Sequence, residues 1–346
     1  LFSDQLFDTA RLVNCALMAK IHTVEWTPAI LDHPTLQIGM NANWWGLIGE
    51  KLNKLVGRVA KSEVIGGIPG SGVDQNNVPY SLTEEFVSVY RMHPLIPGKH
   101  SPQFYQEKSS QKIDNIAFFN THTGAHTKTT PIQDLAFQNA QEAIDDNTNL
   151  ADAFYSFGIN YPGAITHNNH PDFLRHLQTP DGIVRDMGTI DILRDRERGV
   201  PRYCEFRRLF HLPVPKSFVE ITGGNRELAS QIRTVYDNDI EKVDLMVGMF
   251  CEPLPKGFGF SDTAFRVFIL MASRRIKSDR FLAGDGWSEE VYTKEGLAWV
   301  ENETMGSVLI RHFPELRPAL HGKDNAFRPW VKVGVSDEYK GVETNA

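Results

Sequence analysis

The chain has 346 residues, with 36 Lys and Arg against 43 Asp and Glu, giving a net charge of -7. Hydrophobic residues at 41% and charged residues at 23% describe a folded chain and exclude a disordered one. The acidic balance lacks the basic footprint of a nucleic-acid binder. No apolar run approaches the roughly 20 residues needed to cross a bilayer; the longest, Val267 to Ala272, reads as helix core. Cys15, Cys204 and Cys251 are odd in number and far apart, which excludes a disulfide framework and a CxxC metal site and points to a reducing compartment.

In chain order, Leu6, Ala10, Val13, Leu17, Ile21 and Val24 recur at helical spacing, predicting a helix over 4–31 that Pro28 kinks or divides. A second helix is predicted over 41–55. Residues 65–73 read as a Gly-rich loop. Ser81-Leu82-Thr83-Glu84 fits a capping box, followed by a helix whose apolar face carries Leu82, Phe86, Val89, Tyr90 and His93. Residues 97–131 read as a long surface excursion. Further helices are predicted at 132–145, 147–157, 185–198, 203–211, 224–236, 261–282, 287–301 and 303–313. The class is mostly α, as one domain over 1–334 with a polar tail at 335–346. Leu1 is not a start Met and no signal peptide precedes the helical pattern, so an N-terminal part, with any targeting information, is expected upstream.

Most of the twelve histidines invite no metal reading. His122 and His126, and His167 and His170, fall in loop-like strings and read as exposed or hydrogen-bonded side chains. The string Tyr90-Arg91-Met92-His93 differs, because a buried imidazole and a buried phenol each need a partner. Two readings stand. His93 is a core histidine bonded to a carbonyl, or it ligates haem iron with Tyr90 beside it as a redox-active phenol. Two further segments bear on the choice. Ile21 to Thr27 places His22 and Thr27 near the end of the first helix, and Ser273-Arg274-Arg275 ends an apolar stretch. The arginines lie on the surface, or one turns inward as a fork for a carboxylate. His, Thr and Arg together suit the head group of a fatty acid at the end of an apolar channel.

The strings TARLVNCALMAKIHTVEWT (9–27), NWWGLIGEKL (43–52), VPYSLTEEFVSVYRMH (78–93), LRDRERGVPRYCEFRR (193–208) and FSDTAFRVFILMASRRIKSDRF (260–281) closely resemble fatty-acid α-dioxygenases, of the haem peroxidase–cyclooxygenase superfamily. They occur in the family's order over most of the chain to about residue 300, with a poor match from about 99 to 180. RDRERGVPRYCEFR also resembles the RGRDHG-type segment of animal haem peroxidases.

The resemblance implies a mostly α, animal haem-peroxidase-like multi-helix catalytic domain that binds haem b. It implies that His93 is the proximal iron ligand, and that Tyr90 forms the radical that takes hydrogen from the substrate. His22, Thr27 and Arg275 would hold the fatty-acid carboxylate, with Arg274 as the neighbouring alternative. Asp191 would be the carboxylate partner of the proximal histidine. The family's distal histidine and a calcium-binding loop lie N-terminal to the matched part and do not occur in this chain. The implied partners are a long-chain fatty acid, dioxygen and an activating peroxide, with peripheral membrane association compatible and a soluble or peripheral intracellular location expected. The implied product is a 2-hydroperoxy fatty acid. The alternatives are a peroxidase, cyclooxygenase or linoleate diol synthase of the same fold, or a haem- or lipid-binding fragment without turnover.

Overall fold

The first helix runs from Ser3 to Ile21, and its last turn is fastened by a buried cation. Lys20, 2% exposed, donates to the carbonyls of Val300, Glu301 and Glu303 at 2.8, 2.8 and 2.9 Å. These lie at the end of the helix Lys294–Asn302, where unpaired carbonyls favour a cation. Burial and the nearby Lys54 pull the Lys20 ammonium down to about 8. The lock fixes where the first helix ends. It therefore also fixes where the next turn of chain begins.

That turn is not more α-helix. Residues His22–Trp26 form a π turn, closed by the Thr27 N–H on the carbonyl of His22, and a short helix Thr27–Ile30 continues from it. The predicted 4–31 helix is thus divided, but before Pro28. Proline has no N–H to give the carbonyl four residues back, so the local pattern widens instead. The described residues of this computed structural model are 3–58, 61–74, 81–96, 115–135, 139–145, 148–160 and 162–334. Among them no helix is long and apolar enough to cross a membrane.

The chain folds as two compact units, one within Leu1–His93, Ala164–Asn168 and Met187–Glu303, the other within Pro94–Gly163, Asn169–Asp186 and Thr304–Ala346. In the first unit the predicted 41–55 helix is two, Pro34–Trp45 and Gly49–Val56, parted at Gly46, whose φ of +65° suits glycine. The 65–73 loop begins inside a helical turn, Glu63–Gly66. At the next helix the capping residue is Thr83, not Ser81. Its hydroxyl accepts from the Phe86 N–H at 3.2 Å, and the helix is only Glu84–Val89. Tyr90 is its C-cap and His93 opens a separate 3₁₀ turn, so the two do not share a helix face as predicted. Pro94 has no N–H to give the Tyr90 carbonyl, so the helix does not run on through this segment.

The short Glu84–Val89 helix packs against three others: Asp262–Ser278, Leu245–Cys251 and Met187–Glu197. The first is capped by Ser261 and buries Ala264, Val267, Phe268 and Met271. The predicted 261–282 helix stops at Ser278, and 287–301 is two helices, Glu289–Tyr292 and Lys294–Asn302. Leu245–Cys251 is a helix that the sequence pattern does not predict. It is seven residues long and apolar on nearly every side, so it shows no period.

The second unit has its own core of Tyr155, Ile159, Leu309, Leu316, Leu320 and Trp330. The helix Leu150–Ile159 is capped by Asn149, which accepts from the Asp152 N–H at 2.7 Å. The part of the predicted excursion that is described holds an antiparallel hairpin, Asn115–Phe119 against His126–Pro131. Its polar, threonine-rich second strand gives no core-facing alternation to read. His122 sits exposed in the turn, and His126 contacts the Thr129 hydroxyl at 2.8 Å. Residues 97–114 and the 335–346 tail lie outside the described residues. The fold is mostly α, as predicted.

Candidate active site

The π turn brings together two side chains that ordinary helical spacing would separate. Residues five apart stack in a π turn. Fully buried Thr27 accordingly donates its hydroxyl to the His22 carbonyl at 2.7 Å. The His22 ring stacks on Trp26 with centroids 4.8 Å apart and meets Phe268 at 5.7 Å. Burial lowers the His22 pKa below the ordinary histidine value, so the ring is neutral at pH 7.

Across from it lies Tyr90, with its Oη 3.2 Å from His22 Nε2. In the tautomer that carries its proton on Nδ1, this nitrogen accepts from the phenol. Tyr90 is enclosed by aromatic rings: Phe86 at 4.5 Å, and Phe268 stacked at 5.5 Å and 16°. Burial raises its pKa well above the ordinary phenol value, and the Arg275 charge works against that shift. Arg275 stacks its guanidinium over Phe86, 4.7 Å from the ring centroid, and donates to the Ser81 carbonyl. Phe86 therefore touches both Tyr90 and Arg275. The neighbouring Arg274 goes elsewhere. It faces Glu63 at 3.7 Å, a carboxylate that Lys277 also meets at 3.1 Å. The structure thus joins His22, Tyr90 and Arg275 through Phe86 and Phe268, ties Thr27 to them only through the His22 carbonyl, and commits Arg274 to an ion pair.

His93 has a different setting. Its side chain is 31% exposed, not turned into the core as the helical spacing predicts. Its Nδ1 lies 3.2 Å from Asp191 Oδ2, on a side chain that is 2% exposed. The other oxygen, Oδ1, accepts from Arg91 Nη1. Arg91 also reaches toward Asp195, with Nε 3.9 Å from Oδ1. Ser88 donates to the remaining Asp195 oxygen at 2.6 Å. Asp191 and Asp195 are one turn apart on the helix Met187–Glu197, so both point at the Tyr90–His93 segment. Burial raises the Asp195 pKa, and the Ser88 hydrogen bond and the Arg91 charge pull it back.

This cluster is incompletely satisfied. Asp191 Oδ2, Asp195 Oδ1, and Arg91 Nε and Nη2 are buried with no hydrogen-bond partner among the described residues. Such groups are costly unless something completes them. His93 Nδ1 lies 3.2 Å from Oδ2, and a metal on Nε2 would hold the ring with its Nδ1–H on that carboxylate. The donor set thus fits haem iron: an imidazole with one nitrogen facing a carboxylate and the other as the ligand.

Sequence reasoning missed Arg91, Ser88 and Asp195 as members of the site, although Arg91 lies inside the YRMH string and Asp195 inside RDRERG. It also missed Trp26, and Phe268 inside the stretch that reads as helix core. Only the i, i+4 spacing of the two aspartates carried a signal.

Known proteins resemble this chain along most of its length. The chain is 38% identical over 336 residues to α-dioxygenase 1 of Arabidopsis thaliana, covering 94% of this chain and 50% of that protein. The crystal structure of the Oryza sativa fatty acid α-dioxygenase superposes with a TM-score of 0.83 at 35% identity, covering 95% of this chain and 53% of the other. A tyrosine-to-phenylalanine variant of that rice protein, solved with palmitic acid, gives the same TM-score, identity and coverage. The chain spans about half the length of the curated relatives it matches. The sequence pattern of animal haem peroxidases runs through residues 2–327, taking in every residue of both clusters, and the chain belongs to that family.

Proposed function

We propose that this chain carries the proximal haem side and the substrate head-group side of a fatty-acid α-dioxygenase. The observation that carries the reading is the Tyr90–His93 segment. It sets a phenol 3.2 Å from a neutral imidazole at one end and an imidazole 3.2 Å from a buried carboxylate at the other. His93 would hold the iron of haem b through Nε2, with Asp191 fixing the ring. The chemistry supplied there is one-electron oxidation driven by a peroxide.

The chain's own residues do the rest. When Tyr90 loses an electron, His22 Nε2 receives its proton, which avoids a charged phenol in a dry aromatic site. The phenoxyl oxygen then takes a hydrogen atom from the α-carbon, breaking C–H and forming O–H. Dioxygen adds to the carbon radical, and the peroxyl group takes a hydrogen atom back from Tyr90. The product is a 2-hydroperoxy fatty acid and the tyrosyl radical is restored. Position decides which carbon reacts, because C–H bonds along a saturated chain are nearly equivalent. Arg275 would anchor the carboxylate as a charge-assisted fork, His22 would line the same place, and Thr27 would help by turning its hydroxyl from the His22 carbonyl. In this reading residues 1–334 belong to one catalytic domain. The distal histidine and any calcium site belong to the half of the relatives' length that this chain does not span.

The palmitic acid seen with the rice relative makes it the substrate to try. Haem-loaded protein given palmitic acid, a trace of peroxide and oxygen should yield the 2-hydroperoxide by mass spectrometry. Tyr90→Phe should bind haem normally and consume no oxygen, since it removes one atom and keeps the ring. Mid-chain products would point to a diol synthase or cyclooxygenase outcome, and turnover by Tyr90→Phe would remove Tyr90 from the reaction.

A further inference from the structure

The proximal cluster holds more than the pair that a histidine ligand needs. Arg91 lies between two buried carboxylates, bonded to Asp191 and 3.9 Å from Asp195. One positive charge serves two negative ones. All three side chains are at most 12% exposed, so water screens this sharing weakly. The far carboxylate is itself held, by the fully buried Ser88, whose hydroxyl donates to Asp195 Oδ2 at 2.6 Å. Ser88 sits on the Glu84–Val89 helix that leads into Tyr90 and His93, so the array ties that segment to the Met187–Glu197 helix.

We propose that Ser88 and Asp195 are positioning residues that divide the Arg91 charge between two carboxylates and so set how much negative charge Asp191 presents to His93. The proposal rests on His93 as the haem ligand. The more of Arg91 that Asp195 draws off, the more negative charge Asp191 keeps, the stronger its hold on the His93 Nδ1–H, and the more electron-rich the iron that Nε2 would meet. Neither Ser88 nor Asp195 touches the ring or the iron. Their effect passes through Arg91 and Asp191.

The arrangement makes a prediction of sign that a merely structural role does not. In Asp195→Asn the second negative charge is gone, Arg91 turns wholly to Asp191, and the bond to His93 weakens. In Ser88→Ala the Asp195 carboxylate loses its hydroxyl donor and draws harder on Arg91, so the bond to His93 strengthens. Two neighbouring, nearly isosteric substitutions should therefore move the same observables in opposite directions, and Ser88→Thr, which keeps the hydroxyl, should return to the wild-type position.

Two measurements test this on the full chain. In the haem-free protein, imidazole NMR at fixed pH reads the His93 Nδ1 proton. It should move downfield in Ser88→Ala and upfield in Asp195→Asn. In the ferrous haem-loaded protein, the iron–histidine stretching band should rise in Ser88→Ala and fall in Asp195→Asn, with the midpoint potential moving down and up respectively. An Nδ1 proton that shifts in the same direction in both variants, or in neither, overturns the proposal. Opposite NMR shifts with an unmoved iron–histidine band, or a band that survives His93→Ala, would uphold the charge division and overturn His93 as the ligand.

Discussion

Tyr90 and His93 are three residues apart and sit in opposite kinds of surroundings. Around Tyr90 the contacts are rings: Phe86, Phe268, and His22 stacked on Trp26. Around His93 they are charges: Asp191, Arg91 and, behind them, Asp195. Burial acts at both ends with different results. In the aromatic place it keeps the phenol and the imidazole neutral, so a proton and an electron leave Tyr90 with least cost when they leave together. In the charged place it strengthens whatever ion pairing remains. One short segment, held at the end of a six-residue helix, thus presents a phenol facing a neutral imidazole to one neighbourhood and an imidazole facing a buried carboxylate to another.

The largest expected effect breaks the charged end. His93→Ala should abolish the haem Soret spectrum characteristic of a histidine ligand. Unchanged haem content and ligand signature in that variant would show that iron is held elsewhere. Next comes the aromatic end. Arg275→Gln removes a charge-assisted bond worth about 1.5–3 kcal/mol, so fatty-acid affinity should fall about 10- to 150-fold and the choice of carbon should loosen. A fatty-acid methyl ester should mimic this loss in the unmodified protein, since it removes the anion from the other side of the same bond. Esters that react like free acids would leave Arg275 a structural role, stacked on Phe86 and bonded to the Ser81 carbonyl. Thr27→Val and His22→Gln should act in the same direction but more weakly, because neither supplies a permanent charge.

The smallest effect is a pH dependence that separates the two ends. Burial depresses the His22 pKa, so the folded chain binds that proton only at lower pH than the unfolded chain does. The stability due to the neutral ring is complete above the ordinary histidine value and is lost as pH falls through the folded value. The thermal midpoint of the wild type should therefore drop more steeply between about pH 7 and pH 5 than that of His22→Gln. Parallel curves for the two proteins would show that His22 is not held neutral by its aromatic cage.

Much of this is legible in the residues. The helical class follows from apolar spacing. The YRMH, IHTVEWT and SRR strings hold His22, Trp26, Arg91 and Arg275, while Phe86, Phe268, Ser88, Asp191 and Asp195 come from outside them. How they are gathered cannot be read there. A helical wheel sets His22 and Thr27 apart, and only the π turn before Pro28 stacks them. The same wheel puts Tyr90 and His93 on one face of one helix, yet that helix stops at Val89 and the two side chains go to different neighbours. Adjacent Arg274 and Arg275 are alike in sequence, and Glu63, about 200 positions away in the chain, decides which of them is drawn off. The second unit's hairpin and the Leu245–Cys251 helix escape for a simpler reason: neither short segment carries a periodic apolar face.

Tyr90 is the centre of the proposed chemistry, as the group that carries the radical in an aromatic, neutral setting. The most direct measurement is electron paramagnetic resonance of the haem-loaded protein frozen after mixing with peroxide, in wild type and Tyr90→Phe. A radical on Tyr90 predicts a tyrosyl signal in the wild type that disappears in Tyr90→Phe while the Soret spectrum stays unchanged. A tyrosyl signal that persists unaltered in Tyr90→Phe would contradict it.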